Sequence, residues 1–335
     1  VSYNYSNRYY VDFSMRRDAS SGFPKDKRWG NFPSAAVAWR ISDESFIENF
    51  AFLNDLKLRA GWGKTGNDEA VAGRYAYLSG VTSGGSYSVG SGAGDAVGNY
   101  VIASSIRDFP NDDLRWETVT QTYVGFDASF LNNRLTATVE YFNRVTDGIL
   151  QTVTIPPTVG TAQPVFNIGQ LKNSGLEVEV GYNGNLGPFT YGISGNISFL
   201  RNEVTELYDD IPLTTNFGRV EEGRPIGHIW GYRLGGIFQS QDEIDAYYAN
   251  SPDNTIGGNS AYVRPGDMYF LDVHGDPTEE ERFYSKTPDG KINDYDMTEI
   301  GQTIPGHTYG VNLNAGFKGF DLNLSFYGEG DVDKV

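Results

Sequence analysis

The chain has 335 residues, 21% of them charged, a formal net charge of −17 and no cysteine. The acidic balance argues against a nucleic-acid surface, and the missing cysteines remove disulfides and thiolate chemistry. Mean hydropathy is −0.42 and no run of roughly eighteen apolar residues suggests a membrane-spanning helix, which leaves a β-barrel open because its alternating strands average out as polar.

In chain order, one pattern recurs. Tyr9, Val11, Phe13 and Met15 alternate with Tyr10, Asp12, Ser14 and Arg16, and Val37, Trp39 and Ile41 with Ala38 and Arg40. Period-two alternation predicts strands. Next, Leu56, Leu58, Ala60 and Trp62 oppose Lys57, Arg59 and Gly61, just before the triplet Gly63-Lys64-Thr65. A phosphate-binding loop would need glycine where Leu58 stands, in a flexible stretch of bare amides. The alternation instead makes the triplet a strand end. Further strands are predicted around Val124 and Phe126, Val139 and Tyr141, Val178 and Val180, Ile193 and Ile197, Val311 and Leu313, and Leu322 and Leu324.

Two features choose lipid over a protein core for the apolar sides. The patterns run about nine residues or more, the length a tilted membrane strand needs, and aromatics gather at strand ends, as in an interfacial girdle. Connection lengths add to this. Short links at 131–134, 183–188 and 318–319 alternate with long polar segments at about 66–113, 144–172 and 202–306. Short turns on one side and long loops on the other are the signature of an outer-membrane barrel. The fold class is therefore read as all-β, an antiparallel transmembrane β-barrel. Strand parity requires an even number of crossings within 202–306, and zero is expected, making that stretch an extracellular elaboration. Within it, 224–248 reads as strand and then helix. The first and last residues fall inside running patterns, so the chain is expected to be an internal piece of a longer protein.

The stretches "RWGNFPSAAVAWRISDESFIENFAFLNDLKLRAGWGKTGN", "LRWETVTQTYVGFDASFLNNRLTATVEYFNRVTDGIL", "NIGQLKNSGLEVEV" and "KINDYDMTEIGQTIPGHTYGVNLNAGFKGFDLNLSFYGEG" closely resemble the C-terminal barrel of SusC/RagA-like TonB-dependent transporters of the Bacteroidota. The resemblance runs through nearly the whole chain. It implies about ten strands of a barrel of about twenty-two, with the plug and an N-terminal extension outside this chain. It also implies a SusD-like surface lipoprotein as lid, energy delivered by TonB, ExbB and ExbD, and import of oligosaccharides or peptides, with oligosaccharide expected here. The rival reading is a non-transporting β-rich adhesin or glycan-binding module.

Candidate site residues follow. "DVHGD" at 272–276 and "PDGKINDYD" at 288–296 resemble two halves of a family stretch that looks like a calcium loop. The expected ligands are Asp272, Asp276 or Asp289, the Lys291 carbonyl and Asp296, with Gly290 at the turn. His274 stands where an oxygen ligand belongs, and 277–288 splits the loop. For substrate, aromatic faces beside hydrogen-bonding groups suit a sugar, and Tyr75, Tyr87, Trp230 and Tyr232 have that setting, with loop anchoring or contact with the lid protein as the plainer alternative. His228, His274 and His307 are scattered and fit no catalytic motif. Glu177 and Glu179 share one strand side and read as hydrated wall residues.

Overall fold

The computed structural model describes residues 1–334 apart from 48, 49, 51, 69–74, 76, 90–98, 107–109, 154, 155, 208–210, 215–217 and 251–261. Two compact units emerge, Val1–Ile211 with His307–Glu329, and Pro212–Gly306 with Gly330–Val335. The first carries β1 (Ser2–Tyr5), β2 (Tyr9–Ala19), β3 (Trp29–Arg40), β4 (Leu53–Asn67), β5 (Val81–Val89), β6 (Asn99–Ile106), β7 (Glu117–Phe130), β8 (Leu135–Asp147), β9 (Leu150–Thr152), β10 (Val165–Asn167), β11 (Gln170–Leu186) and β12 (Phe189–Glu206). The second holds β13 (Leu213–Thr214), β14 (Gly218–Val220), β15 (His228–Tyr232), β16 (Leu234–Ile237), α1 (Gln241–Asn250), β17 (Met268–Phe270) and β18 (Met297–Gln302). The chain then closes with β19 (His307–Phe317) and β20 (Phe320–Gly330).

Ten of these strands form one sheet in the order β1-β2-β3-β4-β7-β8-β11-β12-β19-β20. β12 pairs directly with β19 from Phe189↔Phe317 to Phe199↔His307, so the described residues of 207–306 add no strand to it. β4 runs unbroken through Gly63, Lys64 and Thr65, which face Gln121, Thr120 and Val119. The triplet is strand.

Register turns the alternation into a wall with two chemistries. Across successive ladders Tyr9 faces Trp39, then Leu58, Phe126, Val139, Val178, Ile197 and Tyr309. The neighbouring row, on the other side, runs Arg40, Lys57, Asp127, Thr138, Glu179 and Asn196. A slip of one residue in any ladder would carry a whole apolar set to the polar side. On the polar side Arg59 pairs with Asp127 at 3.2 Å and also with Glu140. There Glu140 stands directly opposite Glu177, and like charges in that position repel. Arg59 offsets the repulsion. Gly61 lies under the ring of its partner Tyr123, where a Cβ would come within 2.6 Å of ring atoms.

Turns differ from expectation in two places. Residues 183–186 stay paired, Asn183↔Gly192 to Leu186↔Phe189, so the link shrinks to two residues with Gly187 at φ +59°. Ile41 leaves the strand and opens a 3-10 turn, Ile41–Asp43. At the last hairpin Lys318 (φ +46°) and Gly319 (φ +87°) both take left-handed backbone, the conformation that matches strand twist in a two-residue turn.

The apolar row predicts an asymmetry. Phe126→Arg in the intact, membrane-embedded protein should lower unfolding stability by about 2–4 kcal/mol. Glu179→Gln, on the polar side, should stay within about 0.5 kcal/mol. Denaturant titration in vesicles reads both.

Candidate functional site

At the long-loop end of the first unit, three connections share a small core of their own. Phe23, Leu114, Leu150 and Val165 are buried, and Tyr77 and Trp116 pack against them. Asn111 Nδ2 donates to the Val165 carbonyl at 2.7 Å, and Trp116 Nε1 donates to the Arg28 carbonyl at 3.0 Å. Loops at the rim of a wall are thereby given a fixed shape. Tyr75 stands on this platform, exposed, at φ +70°, with its ring 6.4 Å from Tyr77. Tyr87 lies in β5 opposite Val101; its side chain is outside the described residues.

In the second unit, β13, β14, β15 and β18 make a four-stranded sheet and β16 pairs with β17. Trp230 is only 9% exposed. The Arg219 guanidinium sits 4.2 Å from its ring centroid, and His228 and Tyr284 flank it at 5.7 and 6.0 Å. Trp230, expected as an aromatic face for substrate, thus has its ring packed among groups of its own unit. Tyr232 is half-buried, and its hydroxyl donates to Asp294 Oδ1 at 3.0 Å. Burial first, and then the Asp294 hydrogen bond, push its phenol up to about 12.

The two acidic half-loops do come together. Asp296, fully buried, accepts hydrogen bonds from the amides of Val273, His274 and Asn293 at 2.8–3.0 Å. Asp289 accepts from the amides of Asp276 and Lys291, and Asp272 from that of Gly290. The excursion over 277–288 is pinned at its base, where Gly275 and Ser285 exchange two backbone hydrogen bonds of 2.9–3.0 Å. Calcium requires six to eight oxygens around one point. Here backbone amides occupy some of the oxygens of Asp272, Asp289 and Asp296, and the Lys291 ammonium lies 3.4 Å from Asp276. Among the described residues no group of three or more His, Cys, Asp or Glu is arranged to hold a metal. Asp272 Oδ1 is buried with no partner, and burial above all, with Asp296 and Asp289 nearby, holds this carboxyl above the usual range.

A family model described as TonB dependent receptor-like, beta-barrel, matches residues 1–330. The chain belongs to this family.

Among curated relatives, this receptor chain is 39% identical to the TonB-dependent receptor SusC of Bacteroides thetaiotaomicron, over 97% of its own length and 30% of the relative's. It is 31% identical to TonB-dependent receptor P3 of Formosa agariphila, over 97% of its length and 30% of that protein. The chain thus spans about a third or less of the relatives it matches. Among solved structures, the RagAB peptide transporter superposes with a TM-score of 0.74 at 25% identity, over 97% of this chain and 32% of that one. The RagAB peptide importer in its closed-closed state gives 0.75 at 24% identity, over 99% and 32%. The likeness to a SusC/RagA-like transporter holds, and such barrels lie in the outer membrane. No helix among the described residues is long and apolar enough to cross a membrane; a receptor of this family crosses with strands.

Membership leaves loop residues to local signals. The Phe23–Leu114–Leu150–Val165 core was not foreseen from the sequence, although isolated apolar residues in otherwise polar loops were its trace.

Two outcomes are expected of the second unit. Asp296→Ala removes the acceptor of three amides, at about 1–3 kcal/mol for each one left buried and unsatisfied. Hydrogen exchange of 272–296 should accelerate strongly in that variant. Tyr247, like Tyr232, is pushed up to about 12, in its case by burial foremost. Both phenols stay protonated in the folded unit while the unfolded chain ionises near about 10. Their contribution is therefore whole below about pH 10 and lost between about pH 10 and 12. Alkaline unfolding followed by tyrosinate absorbance should show this window, and Tyr232→Phe should narrow it.

Proposed function

We propose that this chain supplies wall and outer loops of an active importer. In this reading TonB, ExbB and ExbD energise it, a SusD-like lipoprotein covers it, and an oligosaccharide is the cargo. The observation that carries the reading is the two-faced wall. Its apolar row suits lipid, and its ion-paired polar side suits a water-accessible lumen rather than a protein core. In this reading the second unit, which lies between β12 and β19 in the chain, is an extracellular elaboration. Tyr75, exposed and raised on a packed rim, is the aromatic face we assign to cargo. The chain contributes shape and polarity, and no residue is assigned a catalytic role. A peptide is the second reading, favoured by the fold shared with the RagAB peptide importer.

The intact protein, extracted gently from its native outer membrane, should carry a lipoprotein in comparable amount. A strain lacking the gene should lose growth on an oligosaccharide and keep growth on peptides, and loss of TonB should reproduce the defect. Tyr75→Ala should slow uptake several-fold with normal assembly. Loss of peptide growth alone would transfer the assignment to peptides. Recovery of the protein alone, with no growth defect, would overturn the importer.

A further inference from the structure

Most links on the short-turn side are minimal, such as 187–188 and 318–319, but residues 41–52 between β3 and β4 form a longer one. Its side chains are unusual for a water-exposed loop. Phe46, Phe50 and Phe52 are 61%, 49% and 57% exposed. None of the three stands apart from the wall. Phe46 meets Trp39 edge-on at 6.5 Å, Phe50 meets Phe52 edge-on at 6.0 Å, and Phe52 stacks on Phe130 at 6.2 Å and 10°. Trp39 and Phe130 both belong to the apolar side of the sheet, so the loop continues that side past the strand ends.

The loop is also held in shape. Ile47 donates to the Glu44 carbonyl, Phe50 to that of Ile47, and Leu53 to that of Phe50. Leu131 of the neighbouring link donates to the Phe52 carbonyl. Glu44 fastens the other end. Its Oε1 accepts the Tyr9 hydroxyl at 2.5 Å and the Trp39 indole N–H at 3.1 Å, while Arg8 stands 3.6 Å from Oε2. These hydrogen bonds, that from Tyr9 foremost, hold its carboxyl below the usual range. Tyr9 and Trp39 thus present apolar faces outward and turn their polar atoms to one carboxylate, the arrangement aromatic rings adopt where one end is dry and the other wet.

We propose that the described part of this link forms a membrane-seated foot, with Phe46, Phe50 and Phe52 entering the periplasmic leaflet of the outer membrane at the boundary of headgroup and acyl chain. Continuity with the lipid-facing row selects lipid over a protein partner. Turns of an outer-membrane barrel lie on the periplasmic side, which fixes the leaflet. Glu44 is the clasp that keeps the foot against the wall. The inference is independent of the cargo.

The test uses the intact protein in phosphatidylethanolamine–phosphatidylglycerol vesicles. Since this chain has no cysteine, spin labels enter singly through Phe46→Cys, Phe50→Cys, Phe52→Cys and, as a turn control, Asn132→Cys, with any cysteine elsewhere in the polypeptide replaced. Power saturation then compares collisions with oxygen and with a water-soluble nickel chelate. Labels at 46, 50 and 52 should favour oxygen several-fold, and the label at 132 should favour nickel. Adding Glu44→Gln should shift the label at 46 towards nickel. Nickel access at 46 and 52 equal to that at 132 would put the loop in water and overturn the proposal. Protection from both reagents would mean a protein covers it, and overturns the proposal equally.

Discussion

The constraint on which the sheet depends is the pairing of backbone groups inside hydrocarbon. No water is available there to satisfy an amide or a carbonyl, so only closed hydrogen-bonding patterns persist. An antiparallel meander meets that demand strand by strand, and its period of two sends every second side chain outward. The row from Tyr9 to Tyr309 is the result, kept in line by seven ladders. β1 and β20 are the edges of the sheet here. In a bilayer such edges must be paired by further strands, which agrees with relatives about three times as long.

On the polar side the problem is reversed, because charges face one another across short distances. Glu140 and Glu177 are register partners, and Glu179 is two residues from Glu177 on the same side. Arg59 answers part of this by reaching Asp127 and Glu140 together. Small residues complete the fit. Without a side chain at position 61, Tyr123 can lie flat against the wall.

Away from the membrane the rules relax, and the loops behave as small globular structures. Each needs its own source of order. The rim loops of the first unit use four buried apolar residues. The second unit uses a stacked set around Trp230 and the buried carboxylate of Asp296, which gathers amides from both sides of the 277–288 excursion.

The sequence by itself determined the strands, their two faces and the side with short turns, because a period of two and a polar break are local properties. Leu58 and Arg59 are adjacent and chemically opposite, so their faces are legible without any partner. The helix following 240 was legible for the same reason. Tertiary structure decided what becomes of the remaining residues. Trp230 and Tyr75 look alike in sequence, each an aromatic beside glycine or arginine. One lies under Arg219 and Tyr284, and the other stands exposed on the rim. Likewise nothing local to Asp296 announces the amides of Val273 and His274, more than twenty residues away, that folding brings onto its Oδ1. Alternation along a strand is written in neighbouring residues, whereas burial and hydrogen-bond satisfaction depend on groups distant in the chain, and only folding sets those side by side.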